Sequence, residues 1–378
     1  MRFFSYSSYV PRFDMPTSSN LNLFWCSGSI AGIAMIIQLV SGIICSMDYL
    51  NFIVFKFVEG GSLLSFGEPG PLVDGFSVEL IRFLHLWGAS LLFVCLFIHM
   101  GRGVYYCSYS KNPLMWTLGV FLYICIMAEA FLGSLLPWHQ MSYWAGVVIS
   151  SIFMSLPYVG SMLYVYLMGS YDFGETIISR VFVVHVFFGF VILFFILLHI
   201  IMLHKVGSSD SFNSSDSYSD VIYFHKVYSF KDSFVFMFVI FFTILVTCYN
   251  PWLTGCKENF IDPNVLSTPS NIKPEWYFLP FYAILRSIES KLGGLLSVLL
   301  VIFLFWVPIP GWYSGYNSIL RRFFFWVFCY SFIFLGVLGA NEPTLLCQSL
   351  SLMGNVFLCV SLFFLKFVDY FFFVGRKS

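Results

Sequence analysis

The run IISRVFVVHVFFGFVILFFILLHIIML, Ile177 to Leu203, decides the fold of this chain. It carries one charged side chain, Arg180, close to its start, and two histidines, His185 and His199, deep inside it. About 20 mainly apolar residues in a helix cross the hydrocarbon core of a bilayer, because lipid offers no partner to an unpaired backbone group. The run therefore reads as a membrane span. The composition generalises the point: of 378 residues, 59% are hydrophobic and 10% charged, against about 25% charged in a soluble domain. Lys+Arg 19 balance Asp+Glu 19, which removes the basic surplus that nucleic-acid binding requires. The 10 cysteines include no CxxC pair, so neither a zinc ribbon nor covalent attachment of a c-type haem is expected, and they read as small packing residues. The N-terminal MRFFSYSSYVPRFDM lacks a signal-peptide layout, so no cleavage is expected.

Seven further runs of this kind bring the expected fold to an all-α polytopic membrane protein with eight transmembrane helices. The eight lie at about Leu21 to Ser46, Leu80 to Met100, Leu114 to Leu136, Ile177 to Leu203, Phe234 to Tyr249, Leu295 to Pro308, Phe323 to Gly339 and Leu345 to Phe373. The fifth and sixth are short and need their flanks. A ninth candidate, Val147 to Met168, is broken by Pro157 and Gly160. Positive charge arbitrates. Eight spans put twelve basic residues inside (Arg2, Arg12, Arg102, Lys111, Lys205, Lys226, Lys231, Arg321, Arg322, Lys366, Arg376 and Lys377) and seven outside, whereas nine spans erase the bias. Both termini are therefore expected on the inner side, with 140–170 along the outer surface. The polar tract Gly207 to Asp220 reads as a solvated inner connection.

Four of the seven histidines lie inside spans: His85 and His99 in the second, His185 and His199 in the fourth, each pair 14 residues apart. At 100° per residue, 14 steps return to within about 40° of the starting face and climb about 21 Å. Both spans run the same way, so His85 is level with His185 and His99 with His199. Two stacked bis-imidazole pairs inside a bundle are what two non-covalent, six-coordinate b-type haems need. Zinc would want four ligands per site, and each level offers two.

Glycines repeat the interval, Gly28 and Gly42 on the first span, Gly119 and Gly133 on the third. They are expected to let two flat macrocycles pass close to the backbone. Arg82 and Arg180, near the outer level, and Arg102, near the inner level, are expected to meet propionates. On this reading residues 1–207 form a haem-binding four-helix bundle, 208–232 an inner-side loop, and 233–378 a C-terminal unit with an outer loop at 250–291.

Together with LPWHQMSYW (Leu136 to Trp144), PEWY (Pro274 to Tyr277) and AILRSIESKLGG (Ala283 to Gly294), these ladders resemble cytochrome b of the respiratory ubiquinol:cytochrome c oxidoreductase, complex III, over essentially the whole chain. The resemblance implies a Q-cycle. Ubiquinol is oxidised at an outer site, one electron passes to a Rieske iron-sulfur protein, and the other crosses from a low-potential haem (His85, His185) to a high-potential haem (His99, His199). Quinone is then reduced at an inner site. It implies that Glu275 takes a quinol proton, that Tyr277, Tyr282 and the segment from Ala145 line the outer pocket, and that Ser29, His204, Lys231 and Asp232 line the inner one. A c-type cytochrome and further subunits are implied as partners, in a dimeric complex amid membrane lipid, since this chain carries no ligand set for an iron-sulfur cluster. High phenylalanine content, 48 residues, suits a mitochondrially encoded chain of the inner membrane, with both termini on the matrix side.

Some residues depart from the family pattern. His139 stands where glycine is usual, Glu129 where a small polar residue is usual, Ser134 where tyrosine is usual, and DFGETIISR before the fourth span is irregular. Glu129 is expected to be satisfied by a neighbouring polar group. Ala145 replaces a usual glycine, and its methyl group should narrow the pocket against strobilurin-type inhibitors while admitting the smaller quinol head. Such compounds are expected to inhibit weakly in membranes, and potency equal to that on an enzyme with glycine there would contradict this. Two other classes stay open from the residues alone. Another di-haem quinone-linked anchor would explain the histidines but not PEWY, and a non-redox proton transporter would line a path with them.

Overall fold

A computed structural model describes residues 16–58, 76–170, 173–208, 221–253, 255, 257–308 and 318–373. Arg2, Arg12, Arg376, Lys377, both termini, most of the polar tract after Gly207, and Asp172 of the irregular stretch lie outside the described residues. Helices dominate: α1 (Ser27–Val58), α2 (Phe76–Tyr105), α3 (Ser108–Lys111), α4 (Pro113–Leu135), α5 (Gln140–Met154), α6 (Gly160–Met168), α7 (Glu175–Val206), α8 (Phe224–Tyr249), α9 (Leu279–Arg286), α10 (Lys291–Trp306), α11 (Ile319–Ala340) and α12 (Leu345–Phe373).

Seven of these are long and apolar enough to cross a membrane, and α10 is a shorter apolar helix. The expected sixth span is α10. At 16 residues it rises about 24 Å, starting earlier than expected because Ser290 caps it by accepting from the Gly293 N–H, and ending at Trp306 just before Pro308. The expected fifth span is not short. Helix α8 begins ten residues before Phe234 and runs for 26, because FHKVYSFKDS continues the helix despite its charges. The ninth candidate divides into α5 and α6 of 15 and 9 residues, separated where Tyr158 takes a left-handed φ of 65°. Neither piece is long enough to span.

The outward faces carry the aromatic surplus. Phe187, Phe194, Phe234, Phe238, Phe241 and Phe242 are all exposed, a pattern that water would penalise and lipid accommodates. Inside, α1 packs on α2, α4 on α7, and α8 on α2 and α1, while α9, α10, α11 and α12 pack on one another. The bundle core gathers Ala34, Met35, Leu92, Phe93, Leu122, Tyr123, Ile126 and Ile192 with Tyr277. Tryptophan indoles tie the bundle to the later helices: Trp87 donates to the Pro251 carbonyl at 3.0 Å and Trp116 to that of Trp306 at 3.0 Å.

A small sheet that the sequence did not suggest joins β1 (Pro16–Ser18) to β2 (Val221–Tyr223), antiparallel, with Thr17 opposite Ile222. The Tyr228 hydroxyl locks it by donating to the Ser18 carbonyl at 2.6 Å while accepting from the Leu21 N–H at 3.3 Å. The start of α1 and the start of α8 are thereby held side by side.

Candidate haem and quinone sites

The 14-residue interval puts both histidines of α2 on the stripe that faces α7. The His85 and His185 rings lie 6.3 Å apart between centroids and 89° between planes, and His99 and His199 lie 6.5 Å apart at 67°. Two metal–nitrogen bonds of about 2.0–2.1 Å each, extended by the ring radii, span about 6 Å, so each pair accommodates one iron between two imidazole nitrogens. Among the described residues no group of three or more His, Cys, Asp or Glu could hold a metal. Each level therefore offers two protein ligands, which suits an ion already held in a plane by a macrocycle.

The glycines do something more specific than opening a passage. A Cβ on Gly42 would lie 3.0 Å from Cε1 of His85, on Gly133 2.9 Å from Cε1 of His185, on Gly28 2.9 Å from Cε1 of His99, and on Gly119 3.4 Å from Cε1 of His199. Each glycine seats the edge of one imidazole, and the shared interval follows from α1 packing on α2 and α4 on α7. Gly133 and Gly28 leave no room for a methyl group unless the ring shifts, Gly42 is tight, and Gly119 is in ordinary contact. Gly28→Ala should therefore weaken or shift the optical signal of the His99 level, whereas Gly119→Ala should leave it intact. Equal effects of the two substitutions on the difference spectrum would contradict this seating.

The ring nitrogens facing away from the pairs are treated differently at the two levels. Nδ1 of His85 lies 2.9 Å from the Ser41 hydroxyl, which itself donates to the Ile37 carbonyl at 2.6 Å and so accepts from the ring. Nδ1 of His185 lies 3.1 Å from the Glu129 carbonyl and 3.1 Å from its carboxylate Oε1. Nδ1 of His99 and of His199 is buried with no hydrogen-bond partner among the described residues. Acceptors at the His85/His185 level leave Nε2 free to ligate, which is the tautomer a metal needs. The neighbour expected for Glu129 is thus one of the ligand candidates.

The three arginines part company. Arg102 is partly buried, packs over the Trp25 ring at 5.1 Å, and leaves a buried Nε with no partner among the described residues. An anionic propionate fits there. Arg180 is exposed, and its guanidinium donates to the carbonyls of Tyr166 at 2.6 Å and Leu167 at 3.2 Å. It closes the end of α6, which Gly169 terminates with a left-handed φ of 74°. Arg82 is exposed at the start of its span.

PEWY enters the bundle from the segment before α9. Tyr277 is 4% exposed and stacks on Phe93 of α2 at 3.9 Å and 8°, between the two histidine levels. The Trp276 indole donates to the Ser90 hydroxyl at 3.3 Å, and Phe278 meets Phe131 of α4 edge-on at 6.5 Å. These contacts hold Glu275 beside the bundle, partly buried. Burial raises the Glu275 carboxyl above its ordinary range. Burial first, and then the nearby Glu275 charge, raise the Tyr277 phenol well above its own. Tyr282 is raised by burial and pulled back by Arg286, whose guanidinium lies 5.1 Å over its ring and donates to the Leu338 carbonyl of α11.

Ala145 lies in a second cluster, with Trp138, Tyr143 and Phe173, and Phe131 joins that cluster to PEWY through Phe278. Two of its determinants escaped the sequence reading. Phe173 stacks on Trp138 at 5.9 Å and 9° and occupies the space where Gly146 would carry a Cβ. Gln140 clamps the loop between α8 and α9: its N–H donates to the Ile261 carbonyl at 2.9 Å, its side-chain amide to that of Ser267 at 2.7 Å, and its Oε1 accepts from the Asn264 N–H at 2.6 Å. Its place inside LPWHQMSYW was the available signal. His139 is the N-cap of α5, accepting from the Ser142 N–H at 3.0 Å, which accounts structurally for one departure.

At the other end, the Ser29 hydroxyl meets the Asp232 carboxylate at 3.1 Å across 203 residues of sequence. Lys231 lies 5.1 Å over the Tyr228 ring. His204 is exposed in the last turn of α7. The structure thus joins Ser29 to Asp232 directly and leaves the other two candidates at the rim.

The family description "Cytochrome b/b6/petB" matches residues 12–207, and "Cytochrome b(C-terminal)/b6/petD" matches residues 262–363. A cytochrome b of Paraspadella gotoi is 39% identical over 360 residues, covering 94% of this chain and 91% of the relative. One of Rickettsia prowazekii (strain Madrid E) is 37% identical over 351 residues, covering 90% and 85%. Among solved structures, a chain of a hyperthermophilic respiratory Complex III superposes with a TM-score of 0.83 at 24% identity, covering 94% of each chain.

Proposed function

This chain belongs to the cytochrome b/b6 family, and we propose that it is the cytochrome b of a complex III-type oxidoreductase and runs both quinone reactions of a Q-cycle. It oxidises ubiquinol beside Glu275, sends one electron to a Rieske partner and the other across the membrane, and reduces quinone at the Ser29–Asp232 end. The observation that carries this reading is the pair of imidazole couples at 6.3 and 6.5 Å, one above the other on α2 and α7.

His85 with His185, and His99 with His199, would each hold one b-type haem, with Arg102 toward a propionate. Haem bound there supplies one-electron transfer along the bundle. The remaining chemistry belongs to side chains. Glu275 accepts a quinol proton on its carboxylate, and the apolar stack of Tyr277 on Phe93 excludes water from the path between levels. Asp232 and Lys231 relay protons to quinone, with the Ser29 hydroxyl, 3.1 Å from Asp232, orienting the carboxylate. Function requires a Rieske protein and a c-type cytochrome subunit, in a dimeric complex of the mitochondrial inner membrane with both termini in the matrix.

Isolated complex should reduce a c-type cytochrome from added quinol, with proton release on the outer side. Haem signals without quinol-driven cytochrome c reduction would favour a quinone-linked anchor cytochrome instead.

A further inference from the structure

We propose that Glu129 holds the reduction potential of the His85/His185 haem below that of the His99/His199 haem, through its carboxylate, whose Oε1 lies 3.1 Å from Nδ1 of His185 beside the carbonyl of the same residue that accepts the ring's hydrogen bond. The inference rests on the di-haem reading above and adds to it the residue that separates the two potentials.

An axial imidazole that donates its outer N–H to a strong acceptor becomes more basic, gives more electron density to the metal and favours the oxidised state. The four rings form a graded series in this respect. His185 has a carboxylate oxygen and a carbonyl oxygen of the same residue, each at 3.1 Å. His85 has a neutral hydroxyl at 2.9 Å. His99 and His199 have no acceptor among the described residues. The strongest acceptor set therefore sits at one level, and the charge distribution reinforces it, because the cationic Arg102 lies three residues after His99 on α2. A carboxylate at one level and a guanidinium at the other push the two one-electron couples apart. The Nδ1 proton stays on His185 in both oxidation states, so ferric-to-ferrous reduction there moves an electron only.

The seat of Glu129 is built for this contact. Gly189 lies one turn after His185 on α7, and a Cβ there would come within 3.2 Å of Glu129 Oε1. The second oxygen, Oε2, is buried with no hydrogen-bond partner among the described residues. Leaving a carboxylate oxygen unsatisfied costs stability, which a residue serving packing alone has no reason to carry. A threonine or serine would fill the position without that cost.

The test is a spectroelectrochemical titration of the isolated complex carrying Glu129→Gln or Glu129→Ala, read in the haem b absorbance. The outer wave should move toward the inner one, with a reduction equilibrium altered about tenfold for Ala, which is 59 mV for a one-electron couple. Gln retains an acceptor without the charge and should fall between Glu and Ala, while the inner wave stays in place. Two bound haems with both waves at their wild-type positions overturn the proposal. So does loss of the outer signal in both variants with no shifted wave, since Glu129 would then only hold the ligand in place. A wild-type complex without two haem waves would instead sink the di-haem reading itself.

Discussion

Replacing His185 by leucine should take the isolated complex from two b-type haems per chain to one, with the lower-potential signal lost. Among the described residues the two rings are the only protein ligands the geometry offers an iron at that level, 6.3 Å apart, and leucine supplies no electron pair. The substitution also removes the imidazole that hydrogen-bonds the Glu129 carbonyl and lies 3.1 Å from its carboxylate, and an unsatisfied buried polar group costs about 1–3 kcal/mol. Part of any loss of assembled complex would come from that source. The double variant His185→Leu/Glu129→Ala separates the effects: it should restore assembly and still bind one haem. A pyridine haemochrome assay gives the count, and two haems per chain in either variant would refute the pairing.

Glu275→Gln should slow quinol oxidation on the order of 10²- to 10⁴-fold, the range for removing a positioned general base, while both haem signals persist. Burial raises this carboxyl, so the proton-accepting form fills only as pH rises through a value above the ordinary carboxylate range. The wild-type rate should fall on acidification through that value, and the glutamine variant should lose this acid limb. Stability has the opposite sign. A carboxyl with a raised folded pKa destabilises the fold as pH increases through it, so glutamine should leave the fold at least as stable at neutral pH. Steady-state rates against pH on the isolated complex decide the matter; an unchanged acid limb in Glu275→Gln would assign the proton to another group.

The spans and the histidine levels were legible because they depend on local periodicity. An apolar run long enough to span, or a 14-residue interval, means the same thing wherever the helix sits. Helix ends were less legible, since they depend on neighbours: α8 continues through FHKVYSFKDS at a position held by the β1–β2 ladder and Tyr228. The glycine ladder was visible, but its contact with the four imidazole edges was not, because that depends on which helix packs against which. Beyond the histidine pairs and Ser29 with Asp232, contacts between distant residues were out of reach for the same reason. Glu129 finds His185 across 56 residues, Gln140 finds Ser267 across 127, and Arg180 turns back to the end of α6 at Tyr166. Where a motif already joined such residues, as Trp276 and Tyr277 are joined in PEWY, the sequence marked the right place without revealing that it enters the bundle and stacks on Phe93.

The central claim is that α2 and α7 hold two haems at separate levels with unequal potentials. A redox titration of the wild-type complex in the haem b absorbance tests it most directly. Two one-electron waves of comparable amplitude, well separated in potential, are the predicted result. A single wave from one haem, or no b-type absorbance at all, would contradict the account.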